Sequence, residues 1–187
     1  GVVLVDIGGG TTDIAIYHDG LLCHTVVLPF GGNHITNDIR EGCHLTHESA
    51  EEAKIFLGET NPKNCSLNTL LVIPTAEGIP PIEIVARNVV LIARARLREI
   101  AALVLAEIKK AGYEHKLRAG IILTGGTSKI KGIESIFREI TGMYVQIGSP
   151  KNLERSNSAL DSLITDPSYT TALGLAWSSV KPLDKRI

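Results

Sequence analysis

Apolar positions along this chain change their period several times, and each change marks an element. Residues 2–6 (Val-Val-Leu-Val-Asp) are an apolar run ending in a carboxylate, the pattern of a central strand buried on both faces. Residues 13–18 are again mostly apolar, Asp19-Gly20 supplies the positive-φ positions of a tight hairpin, and 21–28 return as a third strand. The period then lengthens. Residues 33–42 predict a short helix ending at Gly42, and 47–57 a second, capped by Thr46, with Glu48 in its first turn and Gly58 past its end. Residues 59–81, with Pro62, Pro74, Pro80 and Pro81, predict loops around one apolar strand at 70–73. The longest helical pattern follows, with Pro81 at its first position, Glu83 in its first turn, Lys109-Lys110 in its last and Gly112 beyond. About 30 residues at 1.5 Å each would make it roughly 45 Å long.

Beyond that helix, 119–123 predict a second buried strand running into Thr124-Gly125-Gly126-Thr127. Ile133, Ile136, Phe137 and Ile140 recur at helical spacing and close at Gly142; 144–147 predict another strand and 152–165 a polar loop. Asp166-Pro167 opens a last helix through Trp177. Strands that lead into glycine turns and helices predict an α/β fold with its sites at strand ends.

Composition narrows the class. At 187 residues the chain suits one medium domain or two small packed subdomains, and folding would bury roughly 70% of the extended surface. Nineteen basic against 20 acidic residues leave a net charge of −1, so there is no electrostatic footprint for nucleic acid or an anionic membrane. Three separated cysteines, Cys23, Cys43 and Cys65, argue against a disulfide framework or a zinc site and fit a reducing cytoplasm. His44 and His47 beside Cys43 lack further ligands at compatible spacing and read as a polar turn before a helix. No apolar run reaches the ~18 residues of a membrane span, and no signal-peptide pattern opens the chain. The chain begins directly in a core strand and ends in polar residues 181–187, so it is expected to be a piece of a longer protein.

The sharpest chemical signal is Asp6-Ile7-Gly8-Gly9-Gly10-Thr11-Thr12-Asp13 between two apolar strands. Three glycines let the backbone approach a phosphate without Cβ clashes, and successive N–H groups form an anion cradle. Thr11 and Thr12 add hydroxyl donors, and Asp6 at a strand's carboxyl end suits Mg²⁺ held through water or an oriented attacking water. The Walker loop's Gly-Lys-Ser/Thr ending is missing, and a strand follows where the dinucleotide fingerprint requires a helix. A plain glycine hairpin turn would leave the two flanking aspartates unexplained. A second loop, 124–129 (Thr-Gly-Gly-Thr-Ser-Lys), also follows a buried strand and precedes a helix, so a flat base or a phosphate can lie against its backbone.

These two loops resemble the phosphate-2 and adenosine motifs of the actin, sugar-kinase and DnaK-type chaperone superfamily. Within it, 30–39 (Phe-Gly-Gly-Asn-His-Ile-Thr-Asn-Asp-Ile), 49–54 (Ser-Ala-Glu-Glu-Ala-Lys), 95–100 (Ala-Arg-Leu-Arg-Glu-Ile), 119–126 and 169–175 resemble the bacterial cell-division FtsA family, in the family's order and over nearly the whole chain.

The resemblance implies a mixed sheet flanked by helices, an actin-like ATPase lobe of the ribonuclease H-like kind, with a smaller α/β subdomain. Subdomain 2A would comprise 1–33 and 112–187, and subdomain 2B 34–111. It further implies ATP and Mg²⁺ as ligands: Gly8, Gly9, Gly10, Thr11 and Thr12 on the phosphates, Asp6 near metal or water, Gly32 and Asn33 beside them. Glu51 and Lys54 match the Glu-x-x-Lys signature that reaches ribose and adenine, although the spacing alone also fits an ordinary helix ion pair. Gly125, Gly126 and Ser128 would line the adenine side. Arg87, Arg94, Arg96 and Arg98 put a basic face beside an apolar stripe of Val90, Leu97, Ala101 and Val104, which reads either as a solvated helix face or as a docking site. By resemblance, Arg96, Arg98 and Glu99 would receive the acidic C-terminal tail of the tubulin-like protein FtsZ.

The implied whole protein polymerises like actin and tethers the FtsZ ring to the inner face of the cytoplasmic membrane through a C-terminal helix outside this chain. With the first phosphate loop also outside it, this chain alone is expected to bind nucleotide poorly and hydrolyse none. Other readings are a PilM-type pilus scaffold, an MreB-type filament or a superfamily phosphotransferase. The 31–38 and 96–100 segments favour FtsA over the PilM and MreB readings.

Overall fold

The computed structural model describes residues 1–74, 80–148 and 164–180. Its main sheet has five strands in the order β3-β2-β1-β6-β7. Strands β1 (Val2–Ile7), β2 (Thr12–His18) and β3 (Leu21–Leu28) form an antiparallel meander, while β6 (Ile121–Thr124) and β7 (Val145–Ile147) add parallel to β1. The sheet is therefore mixed. Alternation in β1 turns Val3, Val5 and Ile7 into the core, where each is fully buried, while Asp6 lies on the opposite face.

Helix α1 (Gly32–Cys43), α2 (His47–Leu57), α3 (Ala86–Lys110) and α4 (Ile133–Thr141) share one hydrophobic core with the sheet. In α3 the buried set Val89, Val90, Ala93, Leu97, Ile100, Ala101, Val104 and Ile108 follows the helical period and packs α3 against both α1 and α4. Burying each large aliphatic side chain stabilises the fold by about 1.5–3 kcal/mol, so this stripe anchors the layer. Helix α5 (Thr170–Val180) follows a 3₁₀ turn at Pro167–Tyr169.

The long helix starts later than its sequence pattern predicts. Ile82–Val85 form strand β5, paired antiparallel with β4 (Leu70–Ile73), and α3 begins at Ala86 with 25 residues, roughly 38 Å. Ile82, Ile84 and Val85 are β-branched and follow two prolines, so the proline that would open a helix here opens a strand. The hairpin ends where Ala86 N–H donates to the Thr69 carbonyl at 2.9 Å.

Helix α1 likewise runs through Gly42 to Cys43, and His44 takes the left-handed cap at φ 54°. Gly42 is small for packing: a Cβ there would sit 2.7 Å from Ile92 Cδ1 on α3. The second glycine loop does not enter a helix directly; Gly126–Lys129 make a 3₁₀ turn first. The polar loop predicted over 152–165 falls largely outside the described residues, as do 181–187. Among the described residues, no helix is long and apolar enough to cross a membrane.

Candidate functional site

The turn between β1 and β2 is closed by Gly8 N–H donating to the Thr11 carbonyl at 2.9 Å. Its outward carbonyls are then taken by the start of α1: Gly32 N–H donates to Gly8 at 2.9 Å and Asn33 N–H to Gly9 at 2.8 Å. That approach needs Gly31, where a Cβ would lie 2.6 Å from the Gly9 oxygen. Thr12 is fully buried and donates its hydroxyl to Phe30, so its side chain turns inward, whereas exposed Thr11 donates to Asp13.

The two glycine loops, far apart in sequence, meet. Thr127 Oγ1 donates to the Gly8 carbonyl at 3.0 Å, across 119 residues. Parallel pairing sets Thr124 of β6 beside Asp6 of β1, so both loops leave the same sheet edge. Gly125 turns there with φ +85°, and a Cβ on it would sit 2.3 Å from Asp6 Oδ1. The other Asp6 oxygen accepts a hydrogen bond from the Thr171 hydroxyl on α5 at 2.5 Å. Ser128 is buried and donates to the Gly125 carbonyl at 2.7 Å, which shapes the turn without reaching its surface.

Helix α2 supplies the third wall. Lys54, with a side chain only 11% exposed, spans three groups: Glu51 at 2.7 Å, Thr36 Oγ1 at 2.8 Å and the Gly32 carbonyl at 3.2 Å. Thr36 also lies in hydrogen-bond contact with Glu51. Burial pushes the Glu51 carboxyl up, but the hydrogen bonds from Lys54 and Thr36 outweigh it and hold the group below its ordinary value. Glu51 therefore favours its ionised form and keeps the ammonium on the Gly32 carbonyl at the start of α1.

Between these walls opens a cleft of about 510 Å³. Of the residues predicted from sequence, Gly9, Gly32, Asn33, Glu51, Lys54 and Gly126 line it. Gly8, Gly10 and Thr11 complete the turn that bears Gly9 but do not themselves line the cleft, and neither do Asp6, Thr12, Gly125 and Ser128. Ile55, Phe56, Thr127, Lys129, Lys131 and Ser168 also line the cleft and were missed. Ile55 and Phe56 had a legible signal, two apolar residues following the Glu-x-x-Lys unit; Ser168 had none.

The donor set suits a polyphosphate. Lysines 54, 129 and 131 line the cleft, Lys54 paired with Glu51 inside it and Lys129 with Asp166 beside it. Gly10 has no atom within 4 Å of where a Cβ would be, so the tip of the first turn is open. For a hard cation the candidate carboxylate is Asp6, which lies at the end of β1 outside the residues that line the cleft, and the described residues contain no cluster of three metal-ligating side chains. That suits Mg²⁺, which keeps most of its water and shares the rest with phosphate oxygens.

The arginines of α3 divide between two neighbours. Arg96 makes a fork to Asp38 of α1, at 2.6 and 2.8 Å, and a third bond to Glu99 at 2.6 Å. The Asp38 hydrogen bonds raise the Arg96 pKa above its ordinary value. Arg94 reaches Glu139 of α4 at 2.9 Å, and Arg98 pairs with the same carboxylate. Hydrogen bonding from Arg98 holds Glu139 below its ordinary pKa.

The family model described as Cell division protein FtsA matches residues 3–174. This chain belongs to the FtsA family. It is 38% identical to the FtsA of Pseudomonas aeruginosa over 175 residues, covering 94% of this chain and 41% of that protein. Against the FtsA of Escherichia coli K12 it is 34% identical over 188 residues, covering 94% and 42%. It thus spans less than half the length of these FtsA relatives. Among solved structures it is similar to MreB5 of Spiroplasma citri bound to ADP (TM-score 0.61, 25% identity, 80% of this chain and 49% of that one). The PilM–PilN type IV pilus biogenesis complex gives TM-score 0.69 at 19% identity, covering 97% and 46%. The ethanolamine utilization protein EutJ of Carboxydothermus hydrogenoformans gives 0.62 at 24%, covering 93% and 47%. The fold of this FtsA-family chain is that of the actin-like ATPases.

Proposed function

We propose that this chain is the nucleotide-gripping half of an ATP-binding, actin-like cell-division adaptor, which polymerises and links the FtsZ ring to the cytoplasmic membrane at the division site. One observation carries the nucleotide reading: Thr127 of the second loop bonds Gly8 of the first, beside a lysine-lined cleft. In this reading, Gly9, Gly10 and Thr11 hold the β- and γ-phosphates, Gly8 shapes their turn through its own hydrogen bonds, and Asp6 faces Mg²⁺ through water. Glu51 and Lys54 face the ribose side, Gly126 faces the base, and Ile55 and Phe56 give it an apolar wall. Bound Mg²⁺ would neutralise phosphate charge. In this reading the chain's own residues bind and orient, Asp6 facing the metal or an attacking water, and the whole protein is at most a weak ATPase.

We assign 1–33 and 112–187 to subdomain 2A and 34–111 to subdomain 2B. The α3 surface around Arg96, Arg98 and Glu99 is the proposed seat of the acidic FtsZ tail. Arg98 is the most available anchor, since its side chain is 40% exposed and that of its partner Glu139 49%. The family match favours this assignment over a PilM-type or MreB-type role.

The test is calorimetric titration of the full-length protein with ATP and Mg²⁺, wild type against Lys54→Ala. Saturable binding weakened by the substitution is expected, and a folded protein that binds no ATP would overturn the reading.

A further inference from the structure

The Thr171 hydroxyl meets Asp6 from 165 residues away, and no metal- or phosphate-binding pattern in the sequence includes it. We propose that Thr171 is a positioning residue for the cation side of the nucleotide site, fixing the Asp6 carboxylate and thereby linking the seating of α5 to cation-bound nucleotide. The proposal rests on the reading of Asp6 as cation-facing.

Three features of the fold support it. Alternation in β1 places Asp6 on the face opposite Val3, Val5 and Ile7, and α5 begins on that face. Asp6 is tied at one oxygen and confined at the other: Oδ2 accepts from Thr171 at 2.5 Å, while Oδ1 lies close over Gly125, in space that a Cβ would need. A carboxylate so held is already in one rotamer and loses little freedom when a hydrated cation arrives.

The start of α5 is in turn clamped to the second loop. Gly125 N–H donates to the Pro167 carbonyl at 3.2 Å, Thr124 and Thr170 hydroxyls lie 2.8 Å apart, and Lys129 pairs with Asp166 at 2.8 Å. Adjacent threonines at one helix start therefore bond the ends of different strands, Thr170 that of β6 and Thr171 that of β1. A cation that needs Asp6 in this orientation favours α5 seated, and a seated α5 favours the cation to the same degree.

The role is tested by titrating the full-length protein with ATP, in Mg²⁺ and in EDTA, for wild type, Thr171→Val, Thr171→Ser and Asp6→Asn. Thr171→Val should lose roughly 10-fold in ATP affinity with Mg²⁺ and nothing in EDTA, as expected when a partner that orients a metal-facing group is removed. Thr171→Ser, which keeps the hydroxyl, should restore wild-type behaviour. Thr171→Ala at this exposed helix position gives the same comparison if the valine variant does not fold.

Wild-type affinity of Thr171→Val in Mg²⁺, or an equal loss with and without Mg²⁺, would overturn the proposal by leaving Thr171 a structural role alone. If Asp6→Asn abolishes the Mg²⁺ dependence while Thr171→Val keeps it, only the Thr171 assignment falls. If Asp6→Asn retains the wild-type Mg²⁺ dependence, the cation-facing reading of Asp6 falls, and this proposal with it.

Discussion

Thr127 donates its hydroxyl to the carbonyl of Gly8 at 3.0 Å, and this one bond joins the two glycine loops that frame the cleft. Gly8 also accepts from Gly32 N–H, so its carbonyl remains satisfied if Thr127 is lost. Thr127→Val should therefore destabilise the fold by only about 1 kcal/mol, the net worth of one hydrogen bond. Urea unfolding measures this, and the same variant should bind ATP more weakly because the loops are no longer held in register.

Gly125 is the position where a small change should do most harm. With φ +85° and Asp6 Oδ1 2.3 Å from a Cβ position, Gly125→Ala combines a left-handed backbone with overpacking. We expect about 2–4 kcal/mol of destabilisation in chemical denaturation. A loss below 0.5 kcal/mol, the ordinary range for surface substitutions, would show that the loops do not approach as described.

Lys129 and Asp166 give a pH signature. The hydrogen bond from Lys129, with those from Ser168, lowers the Asp166 pKa from an ordinary 3.8 to about 2. A carboxyl depressed on folding contributes stability above its unfolded value, and that contribution is lost as pH falls through the folded one. The pair therefore helps hold α5 above pH 3.8 and releases it as pH falls toward about 2. An NMR titration should give a midpoint for Asp166 near 2, moving up toward 3.8 in Lys129→Met.

The two central arginines of α3 should behave differently. Arg96 ties α3 to α1 through its fork on Asp38, so a double-mutant cycle on this pair should give a coupling of about 1 kcal/mol in stability. Arg98 should matter to the partner instead. Arg98→Ala should weaken binding of an acidic FtsZ tail peptide by about 1–3 kcal/mol, read by fluorescence anisotropy, with little change in the unfolding midpoint. The reverse pattern would move the docking site off this helix.

The named strands other than β5 and both glycine loops are legible in the sequence because their signals are local: apolar runs that end in turns. The α3 start is not, because Pro81 and Glu83 suit a helix opening while the β-branched Ile82, Ile84 and Val85 suit a strand, and pairing with residues 70–73 decides for the strand. The inward turns of Thr12 and Ser128 were hidden for a related reason, since either hydroxyl can face a ligand or a carbonyl until the neighbouring chain is placed. Glu51 and Lys54 were found by their spacing, but the fact that they brace the first loop through Thr36 and Gly32 belongs to the packing of α1 on α2. The arginines of α3 look like one basic face in sequence, and are divided by carboxylates on two other helices.

The claim that matters most is that the first turn cradles phosphate. Gly10 offers a clean way to test it, because a Cβ there meets no atom within 4 Å. Gly10→Val should thus leave stability within about 0.5 kcal/mol while filling the space a phosphate needs. Titration of the full-length Gly10→Val protein with ATP and Mg²⁺, beside wild type, is the deciding measurement. An unchanged unfolding midpoint with ATP affinity reduced at least 10-fold is the predicted result; wild-type affinity in the folded variant would contradict it.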